Sequence, residues 1–301
     1  MAQGTAHRDG FGDEPVWRWL TFGPALAMML FLSLLPLANL FVTSFQDITW
    51  AGGAATRTSA GLAHYRALGS DTLFRAGLVN TLIFAFAAVA GQMVLGFALA
   101  LLCSRVTRGR TLYRAIFLLP ILIPGIVIGA IWKLMLNFDF GLVNQGLALV
   151  GLMPHDWLGS PSTALLSVIM VDIWHWTPFC FLLFLAGIES LPEDVFEAAR
   201  VDGATFWQEL REITLPLMIP TILVTFAFRL VLAFKVFDEV YLLTSGGPGT
   251  ATEVVSFTLY QRFFTEDRVG YGSAMSVAVI FLVSLMLVLA LTARRRAGAS
   301  A

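Results

Sequence analysis

The chain has 301 residues, 57% of them hydrophobic and 13% charged, with a formal net charge of −1. An ordinary soluble domain is about a quarter charged, so the composition argues against a cytosolic globular enzyme and against a disordered chain. The balanced charge leaves no global basic field for nucleic acid.

At ~20 apolar residues per crossing, six charge-poor windows mark membrane spans, at about 19–45, 76–104, 112–136, 162–188, 214–240 and 269–293. Together they make a transmembrane domain over 19–293, between an N-terminal arm (1–18) and a tail (294–301). The first window is too long for a signal peptide and lacks a small-residue cleavage site. Asp13, Glu14 and Arg18 flank it. It is expected to remain a helix, kinked at Pro24 or Pro36. Pro120, Pro124 and Gly125 fall early in the third span and Pro178 late in the fourth. Such breaks are tolerated where neighbouring helices or a cavity satisfy the freed backbone. They fit either ordinary kinks or spans three to five lining a path.

Basic residues set the orientation. One face carries eleven arginines (Arg8, Arg18, Arg105, Arg108, Arg110, Arg114, Arg200, Arg211, Arg294, Arg295 and Arg296). The other carries five, namely Arg57, Arg66, Arg75, Arg262 and Arg268. The positive-inside rule puts both termini in the cytoplasm. The outer loops then cover about 47–75, 137–161 and 241–268. Cys103 and Cys180 sit in apolar runs and read as buried small hydrophobes. His7, His64, His155 and His175 show no metal-ligand spacing, so no metal is expected.

The loop 189–216 is unlike the rest. It holds seven acids (Glu189, Glu193, Asp194, Glu197, Asp202, Glu209 and Glu212) and two arginines. Ser190 to Glu193 and Thr205 to Gln208 each read as a capping box. Leu191, Val195 and Ala199 recur at helical spacing, and Gly203 suits a left-handed stop. A short helix pair with an apolar stripe and many carboxylates either docks on a partner protein or lies on its own bundle. The anionic inner leaflet disfavours so acidic a surface helix.

Glu197-Ala198-Ala199, Asp202-Gly203-Ala204, Ile213-x-Leu215-Pro216 and Pro220 resemble the EAA loop of binding-protein-dependent ABC importer permeases. The likeness extends to the carbohydrate-uptake branch, similar to maltose-type and glycerol-phosphate-type permeases. It is carried by Asp172-Ile-Trp-His-Trp-Thr-Pro-Phe179, Ala233-Phe-Lys-Val-Phe-Asp238, Leu243-Thr-Ser-Gly-Gly-Pro-Gly249, Asn80-Thr-Leu and Leu119-Pro120 to Pro124. Many relatives carry an acid where this chain has Leu232, so Arg229 lacks a local partner in span five.

The resemblance implies an all-α membrane protein with six transmembrane helices, in the MetI-like fold of type I importer permeases, with cytoplasmic coupling helices. Glu197, Ala198, Ala199, Asp202, Gly203, Ala204, Leu215 and Pro216 would then meet an ATPase. The implied partners are a second, related permease, two ABC ATPases, an extracytoplasmic solute-binding protein and the bilayer of a bacterial inner membrane. The solute would be a carbohydrate or polyol, with glycerol phosphate left open. ATP and Mg would sit on the ATPase and no cofactor on this chain. Neither Lys133 nor Lys235 belongs to a phosphate-binding loop, so the chain is expected to be a non-catalytic subunit.

Asp172, His175 and Trp176 share a helical face. Asp172 and Arg229 lie at depths of ~15 Å and ~20 Å from opposite ends of their spans, close enough for an ion pair in a ~30 Å layer. The set (Asp172, Trp174, His175, Trp176 and Arg229) fits either a helix clamp or a polar wall for a hydroxylated solute. On the second reading Asp172→Ala lowers transport while assembly survives. Lys235, Asp238 and Glu239 read as charges anchoring the outer end of span five. The turn through Gly246, Gly247 and Pro248 is a candidate contact for the solute-binding protein. An autonomous ion-coupled transporter is the alternative, and it favours an internal repeat and paired intramembrane carboxylates. Neither is visible in the sequence. A membrane hydrolase needs a nucleophile beside a base, and Ser167 and His175 are two helical turns apart.

Overall fold

The computed structural model describes residues 15–298 apart from 52 and 107. Most of the arm, including Arg8, lies outside the described residues, as do the last three residues of the tail. So do the side chains of Arg18, Arg110, Arg294, Arg295 and Arg296.

Helix α1 (Pro15–Thr43) continues through both Pro24 and Pro36. A hairpin follows, β1 (Gln46–Ala51) and β2 (Ala54–Ser59), with Gln46 opposite Ser59. This small sheet between the first two spans qualifies the all-α expectation. It lies beyond the apolar run, where backbone groups can meet water. Helix α2 (Ala63–Ser70) leads to α3 (Thr72–Ser104), which begins four residues before the predicted 76.

The early start has a local cause. Asp71 caps α3 by accepting from the Leu73 and Phe74 amides at 2.9 and 3.1 Å. It also accepts from the Tyr271 hydroxyl at 2.7 Å and pairs with Arg262 at 3.4 Å. Burial pushes the Asp71 carboxyl up, but these donors and the Arg262 charge outweigh it and hold it below its ordinary 3.8. A group depressed in the fold stabilises it fully above its unfolded pKa and ceases to as pH falls through the folded value. Asp71→Ala is therefore expected to cost ~1 kcal/mol, the usual worth of a cap, at neutral pH. The difference from wild type should begin to shrink as pH falls past 3.8 and be lost only below the folded carboxyl's own lower value, in thermal unfolding followed across pH.

The predicted third span is not one helix. It divides into α4 (Arg110–Leu118), a 3₁₀ turn (Pro120–Leu122) and α5 (Gly125–Met135). Pro120 and Pro124 each lack an amide hydrogen. Leu119 before Pro120 stays helical, whereas Ile123 before Pro124 is extended at φ −88, ψ 128, and there the helix ends. Helix α6 (Leu142–Leu149) sits between α5 and the next span, and α7 (Ala164–Glu189) runs unbroken past Pro178. The loop that follows forms α8 (Glu193–Val201) and α9 (Phe206–Gln208). A π-helical turn (Glu209–Thr214) then joins α10 (Leu215–Ala233). Helix α10 stops well before the predicted 240, and 238–243 form the separate α11 (Asp238–Leu243). Helix α12 (Val255–Tyr260) and a second π-helical turn precede α13 (Val269–Gly298).

Five described helical stretches are long and apolar enough to cross a membrane: Trp19–Thr43, Thr72–Ser104, Ala164–Glu189, Phe206–Ala233 and Val269–Met286. The remaining predicted span, the third, is the broken α4–α5 element. Helices α3 and α7 share the largest helix interface. It is close because it is glycine-lined. A Cβ on Gly96 would lie 2.6 Å from the Cys180 Cβ. One core cluster gathers Phe84, Val89, Ile128, Val171 and Val240. A second, around Cys180, Phe181, Phe184 and Met218, includes Cys103. Both thiols are buried and free.

Candidate functional site

Three helices converge on one buried guanidinium. Arg229 of α10 is 1% exposed, and Asp172 of α7 is 3% exposed. Arg229 Nε donates to Gln92 Oε1 at 2.8 Å, and Nη2 donates to Asp172 Oδ2 at 3.2 Å. Gln92 of α3 closes the ring, its Nε2 donating to Asp172 Oδ2 at 2.7 Å and to the Asp172 carbonyl at 3.1 Å. The Trp176 ring faces the guanidinium at 4.5 Å, a cation–π contact that gains from desolvation. The partner that Leu232 could not supply comes from two other helices.

A second knot adjoins it. His175 Nδ1 lies 3.1 Å from Glu239 Oε1, and Nε2 lies 3.2 Å from the Ile123 carbonyl. A carbonyl only accepts, so Nε2 carries a hydrogen, and His175 and Glu239 share another proton between them. Glu239 is 5% exposed. This corrects its reading as a surface anchor: the break after Ala233 turns α11 inward. Lys235 is exposed, as expected of an anchor, and Asp238 is half-buried against α5.

The structure therefore brings Asp172, His175, Trp176 and Arg229 together and leaves Trp174 out. Trp174 faces outward, edge-on to Trp132 at 5.6 Å. Gln92 was not singled out by the sequence, and Glu239 was read there only as an anchoring charge. Gln92 had one signal, a lone amide in an apolar run, and its partners are remote in the chain. Closed on itself, the cluster is a clamp. Asp172→Ala would orphan a buried guanidinium, so the expectation that assembly survives this change gives way to one of destabilisation.

The loop 189–216 is built differently. Gly203 sits at φ +76, the left-handed stop that glycine adopts without strain. The Ala204 amide returns to the Ala199 carbonyl at 2.9 Å, and the Gly203 amide to that of Arg200 at 3.1 Å. The Thr205 amide donates to Gln208 Oε1 at 2.8 Å, as a capping box requires. The box at 190–193 does not form. Ser190 spends its hydroxyl on the Gly187 carbonyl, and Pro192 caps α8 with no side-chain bond. Only part of the apolar stripe is covered by the chain itself: Ala199 is buried and Leu191 half-buried, while Val195 is exposed. Val201 is 88% and Trp207 73% exposed. Glu197, Ala198, Asp202, Gly203 and Pro216 are exposed, with Ala204 and Leu215 half-buried. Two ion pairs moor the loop, Arg105 to Glu209 at 3.1 Å and Arg114 to Glu189. Arg105 also stacks on Phe206 at 4.4 Å.

On the opposite face, Gly246 (φ +82) and Gly249 (φ +60) shape the glycine turn. Gly246 is buried, so it has no surface to offer a partner. Gly247 and Pro248 are half-buried, and Ser245, Gly249 and Thr250 form the exposed tip. Among the described residues no three His, Cys, Asp or Glu side chains are placed to hold a metal ion.

Residues 92–297 match the family described as the binding-protein-dependent transport system inner membrane component. The chain is 35% identical over 266 residues to the trehalose/maltose transport system permease protein MalF of Thermococcus litoralis, covering 88% of this chain and 89% of that one. It is 32% identical over 282 residues to the sulfoquinovosyl glycerol transport system permease protein SmoG of Agrobacterium fabrum, covering 90% and 91%. Among solved structures it is similar to a chain of a bacterial ABC transporter involved in the import of the acidic polysaccharide alginate. There the TM-score is 0.81 at 26% identity, over 94% of this chain and 99% of that one. A methionine ABC transporter shares the fold, with a TM-score of 0.55 at 20% identity over 74% of this chain and 95% of that one. Its broken, glycine-lined helices and exposed acidic loop are thus those of a multi-pass inner-membrane protein, and the chain belongs to the binding-protein-dependent family of ABC transporter permease subunits.

Proposed function

We propose that this chain is the permease subunit of an ABC importer that moves a carbohydrate or polyol into the cytoplasm, and that its 189–216 loop is the handle on which a separate ATPase pulls. The observation that carries this reading is the loop itself. In a chain whose other surfaces suit lipid, α8 and α9 hold Val201, Trp207 and Glu197 out from the bundle, around a glycine-stopped turn. The sugar-related names of the relatives and the alginate importer's architecture support the solute class.

On this reading a second, related permease completes the pathway, and two ATPases bind and hydrolyse ATP with Mg. A solute-binding protein meets the outer face near Gly247 and Pro248. Both termini are cytoplasmic. This chain does no chemistry of its own. ATP-driven closure of the ATPases draws two coupling loops together and rocks the membrane halves from inward-open to outward-open. Trp174, facing outward beside Trp132, is the aromatic surface for a sugar ring. The Asp172–Arg229 cluster holds the helices behind it.

Co-purification tests the handle. Glu197→Lys reverses a charge at the contact, and Trp207→Ala removes its largest exposed side chain. Each is expected to lower ATPase recovery at least tenfold, about 1.4 kcal/mol of docking energy, while the permease stays monodisperse. Full recovery of the ATPase with both variants would sink the assignment of this loop.

A further inference from the structure

Asn80 and Thr81 lie near the outer end of α3 (Thr72–Ser104), and Arg105 caps its inner end. Helix α3 is 33 residues long, ~50 Å at 1.5 Å per residue. No proline interrupts it. It touches every part that transport has to move. At its inner end Arg105 holds Glu209 and Phe206 of the coupling loop. At mid-height Gln92 joins the Asp172–Arg229 cluster.

The outer end is the most specific. Asn80 Nδ2 donates to the Thr250 carbonyl at 2.8 Å and to the Glu253 carbonyl at 2.9 Å. Thr81 Oγ1 accepts the Val255 amide at 3.0 Å while donating to the Gly77 carbonyl at 2.7 Å. Gly77 lets the 244–258 hairpin, the turn that leads into α12, seat this closely, since a Cβ there would lie 2.9 Å from Thr258 Oγ1 and 3.3 Å from the Val255 nitrogen. Positions 77, 80 and 81 are spaced i, i+3 and i+4, one helical face.

The segment they grip is rigid. The Thr252 hydroxyl lies 2.7 Å from both the Gly247 carbonyl and Thr244 Oγ1, and the Thr258 hydroxyl donates to Glu253 Oε1 at 2.6 Å. Gripping 250–255 therefore fixes the whole 244–258 hairpin, including the exposed tip at Ser245, Gly249 and Thr250.

We infer that Asn80 and Thr81 are positioning residues that lock the 244–258 hairpin to α3, making this helix a two-ended lever between the ATPase-facing loop and the extracytoplasmic tip. The lever rests on the proposed function for its inner load, and the lock at its outer end does not. Asn80 supplies both hydrogens of one amide to two backbone carbonyls. A carboxylate in its place has no hydrogens and repels both oxygens. Thr81 contributes an oxygen acceptor, which serine keeps and valine lacks at nearly the same size.

The test uses the full chain together with the ATPase that co-purifies with it, in lipid nanodiscs. Thr250→Cys carries a spin label at the exposed tip, and Cys103 and Cys180 are buried, so labelling is selective. With wild-type α3, Mg-ATP plus vanadate is expected to change the label's mobility. In Asn80→Asp and Thr81→Val the change should shrink at least fivefold while ATP hydrolysis persists, and Thr81→Ser should retain it. Hydrogen exchange at the Val255 amide should accelerate at least tenfold in Thr81→Val and not in Thr81→Ser.

Wild-type exchange and wild-type label response in Thr81→Val overturn the lever and the lock. Fast exchange with an unchanged label response keeps the lock and overturns the lever. Absence of any ATPase from the wild-type preparation overturns the proposed function and the lever with it, and the exchange measurement still decides the lock. Should Asn80→Asp fail to fold, the Thr81 pair alone decides the question.

Discussion

Arg229→Met is expected to be the most damaging substitution in the membrane core, costing ~3–5 kcal/mol, as removal of one partner from a buried pair does. The cost comes from what is left behind. Asp172 Oδ2 accepts from both Gln92 and Arg229, and without the guanidinium the carboxylate keeps only the amide in a dry interior. Gln92 Oε1 loses its donor as well. The double variant Asp172→Leu with Arg229→Met removes both charges and replaces them with volume. Buried pairs exchanged in this way are often neutral, so the double variant should lose less than either single one. The fraction remaining monodisperse after graded heating in detergent measures all three. A double variant as damaged as the sum of the singles would mean that the two charges do not act as a pair.

Gly96→Val is expected to prevent α3 and α7 from docking. A Cβ at this position would sit 2.6 Å from the Cys180 Cβ, 2.9 Å from the Phe181 nitrogen and 3.1 Å from the Cys180 carbonyl carbon. Two of these three atoms are backbone, so no side-chain rotation relieves the clash. Overpacking a core costs about 1–3 kcal/mol per such insertion, and valine adds two more carbons to the same gap. Small residues at such positions let membrane helices approach closely, where van der Waals packing is the main driving force. Gly23→Ala in α1 is the control, because a Cβ there meets nothing within 4 Å. It should be neutral or slightly stabilising through helix propensity. Yield of folded protein from membranes, with both variants expressed in parallel, separates the two outcomes.

The loop variants and the α3 variants differ from these in kind. Glu197 and Trp207 are exposed, so changing them should spare the fold and disturb only assembly. Asn80 and Thr81 lie between, holding one part of the chain to another without carrying the core.

The spans, the acidic loop 189–216 and the family were legible in the sequence because each is written in neighbouring residues. Apolar runs report their own length. The Gly203 stop, the Thr205–Gln208 cap and the EAA spacing are all contained within one loop. What misled was local as well. Ser190 had a nearer acceptor in the last turn of α7 than the cap it was expected to form. Pro120 and Pro124 were visible, yet whether they bend a span or divide it depends on what packs beside them. Glu239 looked like a surface charge because nothing near it in the chain shows that α11 turns inward to meet His175.

The sequence alone determined that this chain lives in a membrane, where its acidic helix-turn-helix loop lies and which family it joins, since hydropathy and short-range motifs survive without a fold. Only the tertiary structure decided where the buried charges find their partners and what the polar groups of α3 hold. Those pairings link residues 52 to 174 positions apart, and in hydrocarbon a polar group is bound by whatever the packing brings within hydrogen-bonding reach.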